Sequence, residues 1–425
     1  MTSFASALPL PPADRLAGEP RRRVGIRTGN LAMFIFVAVA LLVSMSVTQK
    51  EAPEPGSVRY WILLMSAGLL PLTDVEGIVR ALFGRARLLL LFLACAGAWN
   101  FLNGDVRAVL QMGLLVWVTA WISADNARLD ITLLIRLYAG LIVLGCLVYV
   151  SLDLNHWGEI SWLTIEEYGI WRVSFFPNIA YTAFLSLALV LVLTKNRQLA
   201  AQHPVILALA LYFMIASFVR AALIAALIYA VLHWWSARKP TATRLFRASL
   251  LLGIGVNLAV ASSVVAITYL QEFPLFSRLF LRGESGLSTE EIFQQLFRPW
   301  LWWEHLRQFW SSPSLMEWGA FDFETLKDVA LIEGQEQGDS VSLLTRLLAA
   351  YGLPGALFTA YLVICLHRSA KAGDAWACAC FAPILFLLLQ WGSVFHPSDA
   401  LFVILLLPLV RGSAGFVVGQ TRQAQ

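Results

Sequence analysis

The chain has few charges for its length. Charged residues make up 14% of its 425 residues, whereas 59% are hydrophobic. Because a soluble globular domain carries about 25% charged residues, this composition argues against a soluble enzyme and favours a polytopic membrane protein. The expected fold class is all-α, a bundle of transmembrane helices.

Cysteines and metal-binding patterns are also scarce. All five cysteines lie in apolar stretches, without metal-ligand spacing to histidine, which indicates packing residues: Cys95, Cys146, Cys365, Cys378 and Cys380. The acidic pairs Glu166-Glu167 and Asp322-x-Glu324 could bind a cation, but such pairs are usually only solvated. Without a Walker loop or an Asp-x-Asp-like metal pair, we expect no metal, cofactor or nucleic-acid partner. This absence points to a lipid-activated donor whose leaving group supplies the driving force.

Apolar stretches recur along the whole chain and predict about twelve membrane-spanning helices of ~16–22 residues each. Their ranges are 31–47, 58–72, 86–102, 106–123, 131–151, 174–194, 203–218, 220–236, 247–269, 341–366, 375–395 and 399–411. Basic residues precede the first span and occupy every second loop, so the positive-inside rule predicts that both termini are cytoplasmic. The expected organisation is a disordered tail (1–29), a membrane domain (30–412) and a second cytoplasmic tail (413–425).

One long polar stretch, residues 270–340, interrupts this apolar pattern on the predicted periplasmic side. Ser288 followed by Glu291 forms a capping box that predicts a short helix. Pro299 ends that helix and suits the first turn of a second one, which ends near Trp310. Clustered tryptophans predict that these helices lie at the membrane surface. The segment is therefore expected to be a periplasmic loop with interfacial helices.

Two arginines outside this loop are candidate functional residues. Arg172 precedes an apolar span and is either an interfacial arginine that reaches lipid headgroups or a contact for an anion. Arg220 lies between two spans that are joined by no polar loop. An ionisable residue so close to hydrocarbon is costly and is a functional hypothesis by default.

Two more candidates belong to the long loop. Arg298 sits at the predicted helix break, where it either contacts substrate or forms an ion pair with Glu304 or Glu291. Asp339 precedes the tenth span and is either a helix cap or a functional carboxylate. Because guanidinium groups suit bidentate contact with phosphate oxygens, arginines gathered at the outer face would hold a lipid pyrophosphate.

Four motifs, spread over about 150–366, resemble those of the O-antigen polymerase and ligase superfamily. They are Arg172-Val-Ser-Phe-Phe-Pro-Asn178-Ile-Ala180; Ser217-x-x-Arg220-Ala-Ala; Arg298-x-x-x-Trp302 followed by Pro313 and Gly319; and Asp339-Ser340 leading into Leu-Ala-Ala-Tyr351-Gly352-Leu-Pro-Gly355. Val341-Ser342 stands where ligases of this family carry a His-Asn-like pair. The resemblance therefore favours a Wzy-type polymerase and leaves the general base in doubt.

The resemblance implies a metal-independent inverting glycosyltransferase of the bacterial inner membrane. It would polymerise undecaprenyl-pyrophosphate-linked repeat units into an O-antigen, capsule or exopolysaccharide on the periplasmic side. The implied catalytic residues are Asp339, Arg220 and Arg298, with Glu304 or His305 as alternative bases. The residues expected to bind substrate are Arg172, Arg282, Arg307, His305, Trp302, Trp303 and Ser340. Further partners would be membrane lipids, a chain-length regulator and export proteins.

Three other functions stay open at this point. One is a purely structural membrane partner of a polysaccharide-export assembly, in which the arginines would have no role. An O-antigen ligase would transfer finished polymer to the lipid A core. A transporter of polysaccharide or lipid-linked glycan would need ionisable residues well inside several spans, but the predicted spans carry almost no charge at mid-depth.

Overall fold

The computed structural model describes residues 28–45, 57–104, 106–153, 164–167, 170–274, 342–390 and 396–418, together with 277, 286–288, 292, 302, 306–307 and 309–310. Fifteen α-helices follow in chain order: α1 Thr28–Ser44, α2 Val58–Leu69, α3 Val75–Phe83, α4 Arg87–Leu102, α5 Val106–Ser123, α6 Ile131–Asp153, α7 Ile179–Leu193, α8 Arg197–Gln202, α9 Pro204–Ala216, α10 Arg220–Ser236, α11 Ala242–Leu270, α12 Leu343–Tyr351, α13 Gly355–Lys371, α14 Ala375–Gln390 and α15 Ala400–Arg411. Short 3-10 segments cover Leu70–Asp74 and Gly412–Gly415. The prediction of a helical fold is confirmed for these residues.

The helices follow the apolar stretches closely. Two helical stretches, Val58–Phe83 and Ala242–Val260, are long and apolar enough to cross a membrane. The shorter apolar helices, of 10–17 residues, coincide with other predicted spans. By length and composition the described residues thus supply two candidate spans, a smaller number than the twelve predicted from the sequence.

The predicted span 341–366 is wrong as a single helix. It is split into α12 and α13 by a turn in which Gly352 has a φ of 59°, a conformation that favours glycine. Gly355 then begins α13 so close to α12 that an added Cβ would lie 2.0 Å from the Leu347 carbonyl oxygen. Ser342, whose side chain accepts a hydrogen bond from the Thr345 N–H, caps α12. The N-cap of α12 is thus Ser342, and Asp339 lies outside the described residues.

Four short strands supplement the helices. β1 (Leu129–Asp130) pairs in parallel with β4 (Phe416–Val417), so the start of the predicted C-terminal tail is part of the fold. β2 (Thr164–Glu167) and β3 (Ile170–Val173) form an antiparallel hairpin in which Ile165 lies opposite Arg172. This hairpin was not predicted, although isoleucine, valine and tryptophan favour strands.

The core lies around α7, α14 and α15. Every residue of α7 except Tyr181 is buried, and almost every residue of α14 and α15 is buried as well. Many large apolar side chains of the surrounding helices stay exposed; Leu102 is 79% exposed and Leu251 is 68% exposed. The helix bundle thus has an apolar interior and, over much of its side, an apolar exterior.

The loops at one end of the bundle contact one another, and we call this the basic end. Asp125 accepts hydrogen bonds from Arg85 and Arg411, and Arg368 donates to the Arg85 carbonyl oxygen at 2.7 Å. The Lys195 ammonium donates to the Ser413 carbonyl oxygen at 2.5 Å. These loops are the ones whose basic residues predicted a common, cytoplasmic side.

Candidate functional site

The candidate site lies at the opposite end of the bundle, where α7 and α15 begin. The chain enters α7 through a fixed turn. The Ser174 hydroxyl contacts the Thr182 hydroxyl at 2.8 Å, and the Phe176 N–H donates to the same Thr182 oxygen at 3.0 Å. Asn178 caps the helix by accepting from the Ala180 N–H. Since Arg172 lies two residues before Ser174, this turn fixes the strand that carries Arg172.

Arg220 lies at a sharp break between two apolar helices. α9 ends at Ala216, and α10 begins at Arg220 itself. Phe218, between them, has a φ of 52°, which is rare for a bulky residue and indicates backbone strain. The Ser217 hydroxyl donates to the Met214 carbonyl oxygen at 2.9 Å and so closes α9. Arg220 is exposed at the first position of α10.

The two arginines belong to the same end of the bundle. The Phe175 and Phe213 rings pack edge to face with centroids 4.9 Å apart. Phe175 follows Arg172 by three residues, and Phe213 belongs to the last turn of α9, just before Arg220. The structure therefore brings the start of α7 next to the end of α9, which precedes Arg220. That the two arginines share one ligand stays a prediction.

Buried polar side chains also lie at this end of the bundle. The Tyr181 hydroxyl donates a hydrogen bond to Asp399 Oδ2 and so joins α7 to α15, while Asp399 Oδ1 accepts from the Leu401 N–H at 2.8 Å. Nearby, His396 Nδ1 contacts the Ser398 hydroxyl at 2.6 Å. Burial, and next the positive charge of Arg346, lower the pKa of His396 to about 4. His396 is therefore neutral at pH 7.

The sequence-based candidates did not include Tyr181, His396 or Asp399. A signal was present, because His396-Pro-Ser-Asp399 is a polar sequence between two apolar stretches. Its partner Tyr181 carries no such signal, since it is separated from Asp399 by 218 residues and lies within an otherwise apolar helix.

Two candidates from the long loop are described. Trp302 is 9% exposed and donates from Nε1 to the Leu389 carbonyl oxygen at 2.8 Å, so it anchors the loop to the end of α14. Arg307 is helical and exposed. Stacking of Trp302 on a sugar stays a prediction. The other candidates lie outside the described residues: Asp339, Arg298, Arg282, His305, Trp303 and Ser340.

The side chains described at this end of the bundle are cationic and polar. Arg172, Arg220 and Arg346 supply guanidinium groups with fixed charge, suited to oxyanions. Within the described residues, no three His, Cys, Asp or Glu side chains converge as ligands of a metal would. Metal independence stays a prediction.

Compared with known proteins, the chain matches no family model, no curated protein and no solved structure. What it does must therefore be inferred from its own residues.

Proposed function

We propose that the chain is a polytopic inner-membrane glycosyltransferase, with about twelve spans of ~20 residues each. It would polymerise undecaprenyl-pyrophosphate-linked repeat units at the periplasmic face. A membrane location is supported by the apolar exterior of the bundle, because soluble monomers rarely expose contiguous apolar patches larger than a few hundred Å². The contacts among the basic loops support the proposed orientation, with those loops in the cytoplasm.

The observation that supports the proposed chemistry is the Phe175–Phe213 contact, which joins the segment that carries Arg172 to the end of α9, just before Arg220. Both arginines lie at the end of the bundle opposite the basic loops. A lipid pyrophosphate presented there carries the charge that two guanidinium groups would bind, and its charge grows as the glycosidic bond breaks. We propose that Arg172, Arg220 and Arg298 hold the pyrophosphate.

The proposed reaction is direct displacement at the donor's anomeric carbon. A hydroxyl at the non-reducing end of the acceptor attacks, undecaprenyl pyrophosphate leaves, and the configuration inverts. Asp339, Glu304 or His305 would take the proton of that hydroxyl. We propose a structural role for Asp399, because it is 7% exposed and hydrogen-bonded to Tyr181. In this role it holds α7 and α15 together.

A function as a transporter is less well supported than glycosyl transfer. In the described helices, the charged residues lie within about two turns of a helix end. A substrate path would need ionisable groups nearer the middle of several helices. The ligase alternative is distinguished by its acceptor, which is the lipid A core and not another repeat unit.

The test is a reconstituted assay with defined lipid-linked repeat units. Wild type should give a polymer ladder, and R220A should lower its rate by about 10–1,000-fold, the range for losing a donor that stabilises developing negative charge. R238A is the matched control, because Arg238 stacks on Trp234 at 3.9 Å near the other end of α10. An R220A variant with wild-type polymer length and yield would rule out the pyrophosphate clamp.

Two further arms of the assay address metal use and the acceptor. A chelator should leave the rate unchanged, whereas strict metal dependence would overturn the proposed mechanism. Transfer to lipid A core without chain growth would identify a ligase.

A further inference from the structure

The first two turns of α11 carry two exposed arginines at the basic end of the bundle. Thr241 caps this helix by accepting a hydrogen bond from the Arg244 N–H at 3.4 Å. The Phe246 ring packs edge to face against His367 with centroids 5.5 Å apart, so α11 begins beside the end of α13, which belongs to the basic end. Arg244 and Arg247 are both exposed there. Nothing in the proposed transfer reaction uses these two arginines.

One face of α11 packs on α14. Leu245, Ser249 and Gly253 follow one another at intervals of four residues and are buried. The Ser249 hydroxyl donates to the Cys378 carbonyl oxygen at 2.8 Å, and a Cβ added to Gly253 would lie 3.0 Å from a methyl carbon of Leu385. These contacts fix the rotation of α11 about its own axis and therefore decide which of its side chains point away from the bundle.

The opposite face of α11 carries a stripe of exposed side chains with a cationic start and an apolar continuation. Its members follow at intervals of three and four residues, which places them on one side of a helix; they are Arg244, Arg247, Leu251, Ile254 and Leu258. The three apolar side chains are 68%, 46% and 64% exposed. At the helical rise, Leu258 lies about 16 Å from Arg247 along the axis, which is about half the ~30 Å thickness of a bilayer's hydrocarbon core. This α11 stripe is therefore about as long as one leaflet is thick.

The positive charges near the start of α11 are not compensated by acidic residues of the same region. No aspartate or glutamate occurs between Glu167 and Glu272. Four exposed cations form no ion pair within the described residues: Arg197, Lys239, Arg244 and Arg247. The turn that carries Arg197 lies beside α10, because the Thr194 hydroxyl contacts the Tyr229 hydroxyl at 2.8 Å. This part of the basic end therefore has a net positive charge.

Two other arginines of the basic end do have acidic partners. Arg80 is paired with Glu76, and Arg411 is paired with Asp125 at 2.7 Å. The positive-inside rule applies to both groups of cations, so it explains neither the lack of acids near α11 nor the alignment of two arginines with exposed apolar side chains. The unpaired group is complementary to an external anion that also has an apolar part.

We propose that the α11 stripe binds an anionic phospholipid of the cytoplasmic leaflet, phosphatidylglycerol. Arg244 and Arg247 contact its phosphate, and an acyl chain lies along the apolar part of the stripe. Arg197 and Lys239 add to the positive potential that attracts the headgroup. Ethanolamine and choline headgroups carry a cation of their own, which these side chains repel. The inference rests on the proposed membrane location and orientation but not on the proposed glycosyl transfer.

The experiment uses the full chain in nanodiscs of phosphatidylcholine, to which phosphatidylglycerol or phosphatidylethanolamine is added. Native mass spectrometry reports which lipid stays bound. Wild type should bind phosphatidylglycerol in preference to both zwitterionic lipids. R247Q should weaken that binding about fivefold, and R244Q combined with R247Q should weaken it about 30-fold, the effects of losing one and two cations beside an anionic lipid.

R59Q is the matched control. Arg59 is an exposed arginine in the first turn of α2. The helical stretch Val58–Phe83 places it roughly 40 Å from the basic end, several times the Debye length of about 8 Å at physiological ionic strength. R59Q removes the same charge as R247Q and should bind phosphatidylglycerol as wild type does. Equal weakening by R59Q and R247Q would contradict a site on α11.

A salt series tests wild type without any substitution. Raising the ionic strength from about 0.1 to about 1 M shortens the Debye length from about 10 to about 3 Å, so most of the preference for phosphatidylglycerol should disappear. A preference that salt leaves unchanged would overturn the inference. Soluble glycerol phosphate that competes as well as the lipid would show that the acyl chain is not needed and would overturn the assignment to a lipid.

Lipid binding and glycosyl transfer are measured separately, so failure of one proposal is distinguishable from failure of the other. Equal binding of the three lipids by wild type contradicts only the lipid site, because the transfer assay addresses the opposite end of the bundle. Failure of wild type to enter nanodiscs would overturn this inference together with the membrane location.

Discussion

The Tyr181 hydroxyl donates to Oδ2 of the buried Asp399 and thereby fixes the start of α7 against the start of α15. Both helices are almost fully buried, and Arg172 lies on the strand that leads into α7. This single contact therefore supports the position of the proposed pyrophosphate site, although neither residue is proposed to touch substrate.

Tyr181→Phe should destabilise the protein by about 1–3 kcal/mol, because it leaves a buried carboxyl oxygen without its donor. Tyr138→Phe is the matched control. It removes a hydroxyl that contacts Ser186 at 2.9 Å in the same core, and it should cost only about 0.5–1.5 kcal/mol, since both partners are neutral hydroxyls. The free energy of unfolding of both variants, measured in the same detergent, checks these values. Equal destabilisation by the two variants would contradict the role given to Asp399.

The sequence predicted the helices well because each one is a local apolar run. The predicted spans 86–102 and 106–123 differ from α4 and α5 by one residue at most. It also predicted the break between α9 and α10, because the apolar run is interrupted there by Arg220. The break in α12–α13 was missed, because Leu353 and its neighbours are apolar enough to continue a span.

The contact between Tyr181 and Asp399 could not be predicted, because it depends on how distant helices pack. The same limit applies to the hydrogen bond from Asn126 to Asp74, which needs the start of α3 and the loop after α5 in contact. The candidate arginines could be chosen from the sequence, because a charged residue in an apolar stretch is a local pattern. The buried hydrogen bond that joins α7 to α15 could be identified only from the fold.

His396 should make stability depend on pH between about 6.5 and about 4, its ordinary and its folded pKa. Because the unfolded chain binds this proton more readily than the folded protein, stability is fully present above about pH 6.5 and is lost as the pH falls. The slope contributed by one such proton reaches about 1.4 kcal/mol per pH unit. Unfolding of wild type and of a variant without this imidazole, measured across this range, should differ by this slope.

Two variants test that assignment. His396→Gln should remove this contribution to the slope between pH 6.5 and 4, since it removes the imidazole. Ser398→Ala deletes the hydroxyl that contacts His396 Nδ1 but keeps the imidazole, so the slope should persist. A His396→Gln variant with the wild-type slope would show that another group titrates.

Asp125 should contribute stability at the basic end. Its hydrogen bond with Arg411, and next that with Arg85, lower its pKa below the ordinary 3.8. The stabilisation is therefore present above about pH 3.8 and is lost as the pH falls through the lower, folded value. Asp125 is 59% exposed whereas Arg411 is 5% exposed, so D125N should cost about 1–2 kcal/mol, between the values for exposed and buried pairs.

Glu76 provides the matched control for D125N. Its pair with Arg80 is exposed on both sides, with side chains 87% and 69% accessible. E76Q should therefore cost no more than about 0.5 kcal/mol. Added salt should weaken the small contribution of Glu76 more than that of Asp125, because Arg411 is shielded from solvent. Equal losses for D125N and E76Q at neutral pH would contradict this account.

Gly355→Ala should be strongly destabilising. The added Cβ would lie 2.0 Å from the Leu347 carbonyl oxygen, a backbone atom that cannot move aside alone. Separation of α12 from α13 should cost at least about 1–3 kcal/mol and should shift Arg346 away from His396. Gly113→Ala, in α5 with nothing within 4 Å of the added Cβ, should instead stabilise by about 0.5–1 kcal/mol through helix propensity. Unfolding of both variants in one detergent measures the difference, and a Gly355→Ala variant as stable as Gly113→Ala would show that the turn between α12 and α13 does not require glycine.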